Sequence, residues 1–170
     1  MHTKKISMTL AVLTVLSASP VLAVQGSGDV VATAAVPEPE KAKELQDRAE
    51  ALFSQPKQWR KAVRLLERAA DLRGADDAAA YDCLVYAGRI GAGIGDFQGA
   101  RANMEKAAAH AMARGAIIDA ANAYIDAAHA AVALKDARSA QELVDRATLL
   151  TESPMLSAAQ RTVLKARLAA

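Results

Sequence analysis

The chain of 170 residues has a single cysteine, Cys83, so no disulfide can form within it. Asp82 beside it has the wrong sign to favour a thiolate, and the expectation is a small core residue on a helix. Residues that alternate as strands do are also missing. β-Branched side chains are sparse after Lys41, which excludes a sheet and leaves an all-α chain. There is no recognisable Ser–His–acid arrangement, and no carboxylate pair stands apart from the Glu/Arg helix faces, so no catalytic residue is expected. No haem-attachment motif occurs, and no cofactor is expected.

Long apolar runs are absent too. The stretch from Ile6 to Ala18 has 13 residues, fewer than the about 20 that cross a bilayer. It follows the basic start Met1-His2-Thr3-Lys4-Lys5 and is broken by Ser19-Pro20 before Val21-Leu22-Ala23. That order is the pattern of a secretory signal peptide cut after Ala23, so the chain is expected to be exported, periplasmic or secreted, with no stable membrane span after cleavage. Cleavage would leave 147 residues with 19 basic and 19 acidic side chains, enough for one core and too balanced to attract nucleic acid. Residues 24–40 (VQGSGDVVATAAVPEPE) lack helical periodicity and read as a flexible linker to a domain at 41–170.

From Lys41 onward Ala, Leu, Arg, Glu and Asp dominate. The breakers predict seven helices, near 40–53, 57–73, 77–93, 97–113, 116–134, 137–151 and 154–168. Asp76 or Asp77, Asp96 and Asp136 stand where their carboxylates can cap the following helix, Gly74 can close the second helix, and Ser153-Pro154 reads as a cap followed by a first-turn proline.

The strongest pattern is an internal repeat. Trp59, Ala62, Leu66 and Ala69 recur as Phe97, Ala100, Met104 and Ala107, and again as Ala137, Ala140, Val144 and Ala147, starting 38 and 40 residues apart. Leu45, Ala49 and Leu52 precede the first series as Cys83, Ala87 and Ile90 precede the second and Ala123, Ala127 and Ala130 the third. Each unit is thus two helices, with a small residue where backbones approach and a larger one in the groove beyond. Gly88, Gly95-Asp96-Phe97, Ala100, Met104 and Ala107 resemble the small, turn and packing positions of the tetratricopeptide repeat. The likeness covers residues 41–151 and departs from the family in its longer period, in the missing helix-ending proline and at Ala137, where an aromatic is usual. The extra residues are expected between units, in 73–77 and 113–117.

The resemblance implies a right-handed stack of about three antiparallel helix hairpins with a C-terminal capping helix. It also implies a protein or peptide partner on the face lined by the first helix of each pair. The stripe expected there carries Asp82, Tyr86 and Arg89 in the second unit and Asn122, Asp126 and His129 in the third. Each set steps by three or four residues and so shares a helix face. Asp126-x-x-His129 also has metal-ligand spacing, but zinc or iron would need further ligands, and no metal site is expected. Gly91-Ala92-Gly93-Ile94-Gly95 is no dinucleotide fingerprint, since no strand precedes it; it reads as a helix end running into a turn. The apolar side of the last helix either caps the open end of the core or docks a second copy or a partner. The alternatives to a peptide-binding scaffold are a self-associating structural subunit of the cell envelope and a small-ligand or metal-binding helical bundle.

Overall fold

The computed structural model describes residues 38–74 and 76–169. The expected signal peptide and most of the linker lie outside them. Among the described residues seven α-helices follow one another: α1 (Pro39–Glu50), α2 (Trp59–Asp71), α3 (Ala78–Gly93), α4 (Phe97–Ala113), α5 (Ile117–Ala133), α6 (Ala137–Thr151) and α7 (Ala158–Leu168), with a 3-10 turn, Pro56–Gln58, before α2. There is no strand among the described residues. Helix packs on helix in chain order from α1 to α6, and α7 rests on both α5 and α6.

The middle connections share one construction. Two residues beyond the ends of α3, α4 and α5 stands a left-handed residue, Gly95 at φ 82°, Gly115 at φ 69° and Lys135 at φ 61°. The next amide reaches back to the preceding helix: Asp96 N–H to Gly91 O at 2.9 Å, Ala116 to Ala111 at 2.8 Å and Asp136 to Ala131 at 3.0 Å. With the bonds of shorter sequence span from Gly95, Gly115 and Lys135 to Ala92, Met112 and Val132, these are three Schellman closures in succession. The residue that ends one closure is also the N-cap of the next helix. Asp96 and Asp136 accept from Gly99 N–H and Ser139 N–H. A helix plus three linking residues therefore repeats every 20 residues, as the starts at Phe97, Ile117 and Ala137 state.

Several boundaries differ from the sequence reading. Residues 113–117 are not a spacer between units, because the α4–α5 turn matches its neighbours. α1 begins at Pro39, inside the expected linker, since proline is suited to a first helical position. α2 ends at Asp71, short of Gly74, with Leu72 still right-handed at φ −84°. α7 begins at Ala158 rather than 154. Ser157 and Gln160 form a reciprocal capping box there, satisfying two backbone amides, and this outcompetes Ser153-Pro154.

The two alanine columns of the repeat are buried throughout, whereas Trp59, Phe97 and Val144 are half-buried and Ala137 is exposed. Ala62, Ala69, Ala100, Ala107, Ala140 and Ala147 are all core residues, as are Leu66 and Met104 between them. Cys83 is fully buried; burial pushes its thiol up to about 11, which suits a packed rather than a reactive cysteine.

Among the three closures, only Ala116 lacks a capping side chain, although its backbone (φ −81°, ψ 71°) nearly matches that of Asp96 (φ −83°, ψ 69°). Ala116→Asp should supply the missing acceptor and raise stability by about 1 kcal/mol. A denaturant midpoint that stays where it was would mean that the α5 amides are already well solvated.

Candidate functional site

Alternate helices are tied together by side chains. In the odd set, the Cys83 thiol lies 3.5 Å from Gln46 Oε1 and the Tyr86 ring lies 5.9 Å from that of Phe53, joining α3 to α1 and the turn after it. Tyr81 Oη donates to Asp119 O at 3.3 Å, and Arg89 Nη2 stands 3.7 Å from Asp126 Oδ2, joining α3 to α5. Burial pushes the Tyr81 phenol up to about 12, so it remains a donor at neutral pH. In the even set, Asn103 Nδ2 donates to Glu67 Oε1 at 2.8 Å, joining α4 to α2. Arg101 reaches Asp136 at 2.9 Å, joining α4 to the start of α6.

A cavity of about 320 Å³ opens where α3, α4 and α5 meet. Its walls are Gly88, Ala92, Phe97, Ala100, Met104 and Ala130, and Arg89, Asp126 and His129 supply the polar groups. The small residues create the space. A Cβ on Gly88 would stand 2.8 Å from Met104 Cε and 3.2 Å from the Ala100 carbonyl oxygen, so α3 and α4 approach closely only because position 88 is glycine.

Three of the six residues singled out from the sequence thus meet in one cavity: Arg89, Asp126 and His129. Tyr86 is one turn away on α3, 46% exposed. Asn122 is half-buried and already engaged, since Arg167 of α7 donates to Asn122 Oδ1 with one guanidinium nitrogen and to Asp126 Oδ1 with another. Asp82 is exposed and lies outside the cavity walls. Sequence reasoning missed Arg167. Its partners are 41 and 45 residues away, and only the Leu164-x-x-Arg167 spacing, one apolar and one charged residue on a face, hinted at a docked helix. It also read Phe97 and Met104 as packing residues alone, whereas they also wall the cavity.

Asp126 therefore stands between two guanidinium groups. Its side chain is 19% exposed, that of Arg167 35% and that of Arg89 63%. Among the described residues there is no group of three or more His, Cys, Asp or Glu side chains able to hold a metal ion, and Asp126 and His129 are not joined by a third ligand. No described helix is long and apolar enough to cross a membrane. Against known proteins, the sequence matches no family model, no curated protein and no solved structure.

Proposed function

We propose that the chain is an exported binding module, a right-handed stack of three antiparallel helix pairs closed by α7, that takes a protein or peptide partner on the face of its odd-numbered helices. The observation that carries this is the row of side-chain links from α1 to α3, α3 to α5 and α5 to α7. Regular stacking of alternate helices presents a continuous surface, and extended partners commonly lie along such a surface. Tyr86 and Arg89 project from it, and aromatic and arginine side chains are the usual anchors of an interface. The tetratricopeptide likeness of Gly88, Gly95-Asp96-Phe97, Ala100, Met104 and Ala107 agrees with this role, and the basic, apolar and small-residue order of residues 1–23 supports export after cleavage at Ala23.

The test is cross-linking of the native envelope fraction with wild-type bait and with two surface variants. Tyr86→Ala and Arg89→Ala should each lower recovery of the cross-linked partner severalfold. The thermal midpoint should move by less than about 2 °C in Arg89→Ala and by more in Tyr86→Ala, which also loses the Phe53 ring contact. Asn122→Ala is a poorer probe, because it also unpairs Arg167. Recovery unchanged in both variants but lost on deletion of residues 154–170 would move the site to α7.

A second reading has its own observation. Leu149, Met155 and Val163, on α6, the following turn and α7, are 76%, 71% and 57% exposed. Large apolar side chains this open favour self-association at the C-terminal end. A mass that rises with concentration, and ceases to rise in Val163→Glu, would support it.

A further inference from the structure

The cavity between α3, α4 and α5 has a chemistry that partner docking does not require. Its interior is apolar, and the one carboxylate on its rim, Asp126, is already engaged by Arg167 from beyond the cavity walls. Asp126 Oδ1 is taken by Arg167, which is also held by Asn122. Only Oδ2 faces Arg89, at 3.7 Å, beyond hydrogen-bonding distance. Two guanidinium groups share one carboxylate, and the more exposed of them, Arg89, keeps most of its five N–H donors for something else. The guanidinium fork matches a carboxylate in shape and charge.

We propose that this cavity is a site for a small free organic acid, its compact apolar body seated against Phe97, Met104 and Ala130 and its carboxylate on Arg89. The volume of about 320 Å³ lies at the lower end of small-molecule sites, which suits a ring or a short alkyl chain. A cationic ligand would face the Arg89 guanidinium and a carboxylate that Arg167 already engages through Oδ1. A neutral one would leave the Arg89 donors unused.

The arrangement gives Asp126 and Arg167 opposite roles, though neither needs to touch the ligand. Asp126 competes with the ligand for Arg89. Arg167 keeps Asp126 engaged and so keeps Arg89 available, which makes it a positioning residue. Removing Arg167 should let Asp126 draw Arg89 in and weaken an anionic ligand, whereas neutralising Asp126 should strengthen it.

Titration calorimetry and amide NMR of the full chain test this with benzoate and hexanoate, against benzylamine and benzyl alcohol. The two acids should perturb amides lining the cavity on α3, α4 and α5 and bind at least tenfold more tightly than the amine or the alcohol. Arg89→Met should weaken benzoate at least tenfold, the loss of one charge-assisted fork. Asp126→Asn should strengthen it about threefold and Arg167→Met weaken it about threefold, the scale of a partly exposed ion pair. The double variant Asp126→Asn/Arg167→Met should bind like Asp126→Asn alone. If Arg167 acts only by holding α7 in place, the double variant will instead remain weak, and the positioning role fails. Benzylamine or benzyl alcohol binding as well as benzoate overturns the proposal, as does weaker binding in Asp126→Asn. Binding of the blocked dipeptide acetyl-Phe-Glu-amide without either free acid would also overturn it, because the cavity would then read a peptide.

Discussion

Ala107→Leu is expected to lower the unfolding free energy by about 1–3 kcal/mol. Ala107 is fully buried in the main core and belongs to the column that gives α4 its close contact with its neighbours. Three added carbons have no space there, so they must force a poor rotamer or push helices apart, and native interiors are packed too densely to absorb either freely. Two comparisons isolate the cause. Ala109→Leu, two residues on at an exposed position of the same helix, should shift stability by no more than about 0.5 kcal/mol. Ala100→Leu occupies the same column as Ala107 but borders the cavity, so part of the new side chain can enter it and the cost should be smaller. Equal midpoints for Ala107→Leu and Ala109→Leu in urea would refute the close-packed column.

That column was legible in the sequence because it depends on local spacing alone. Residues three and four apart share a helix face whatever the tertiary arrangement, so Ala100, Met104 and Ala107 could be placed on one buried stripe before any neighbour was known. The starts of α3, α4 and α6 were legible for a similar reason. Asp77, Asp96 and Asp136 each accept a bond from an amide two or three residues ahead, a contact that the sequence contains in full. The 20-residue construction of the turns was harder to see. At Gly95 and Gly115 the left-handed residue is glycine, but at Lys135 it is not, and Ala116 hides the cap that Asp96 and Asp136 reveal. The start of α7 was misplaced because two cap signals, at Ser153 and Ser157, lie four residues apart. Only the second has a glutamine in position to answer it.

The candidate site was legible only in part, and the division follows the physics. Arg89 and the Asp126–His129 pair were selected as polar stripes on two helices. That they face one cavity depends on how α3 packs beside α5, which no single-helix pattern encodes. For Arg167 the sequence offers only the Leu164-x-x-Arg167 spacing, which says nothing of its partners 41 and 45 residues away. The selectivity of the rim depends on which of two arginines holds Asp126, a choice made by the docking of α7.

That docking rests on few residues, and Leu164→Ala should expose how few. Leu164 is the one fully buried side chain on α7 and sits with Ala121, Ile125, Ala147 and Leu156 in a small core of its own. Truncating a buried leucine costs about 2–5 kcal/mol. An isolated helix of 11 residues has almost no stability in water, so α7 depends on this contact, on the Arg167 fork and on the exposed Lys165–Glu152 pair. The loss should therefore be local. Amides of residues 158–168 should exchange nearly as fast as an open chain, while those of α3 to α5 keep their protection. Because detachment also removes Arg167 from Asp126, benzoate affinity in Leu164→Ala should fall about as far as in Arg167→Met. Hydrogen exchange with calorimetry on the same sample checks both halves. Uniform loss of protection from α1 to α7 would show instead that α7 is an integral part of one cooperative core.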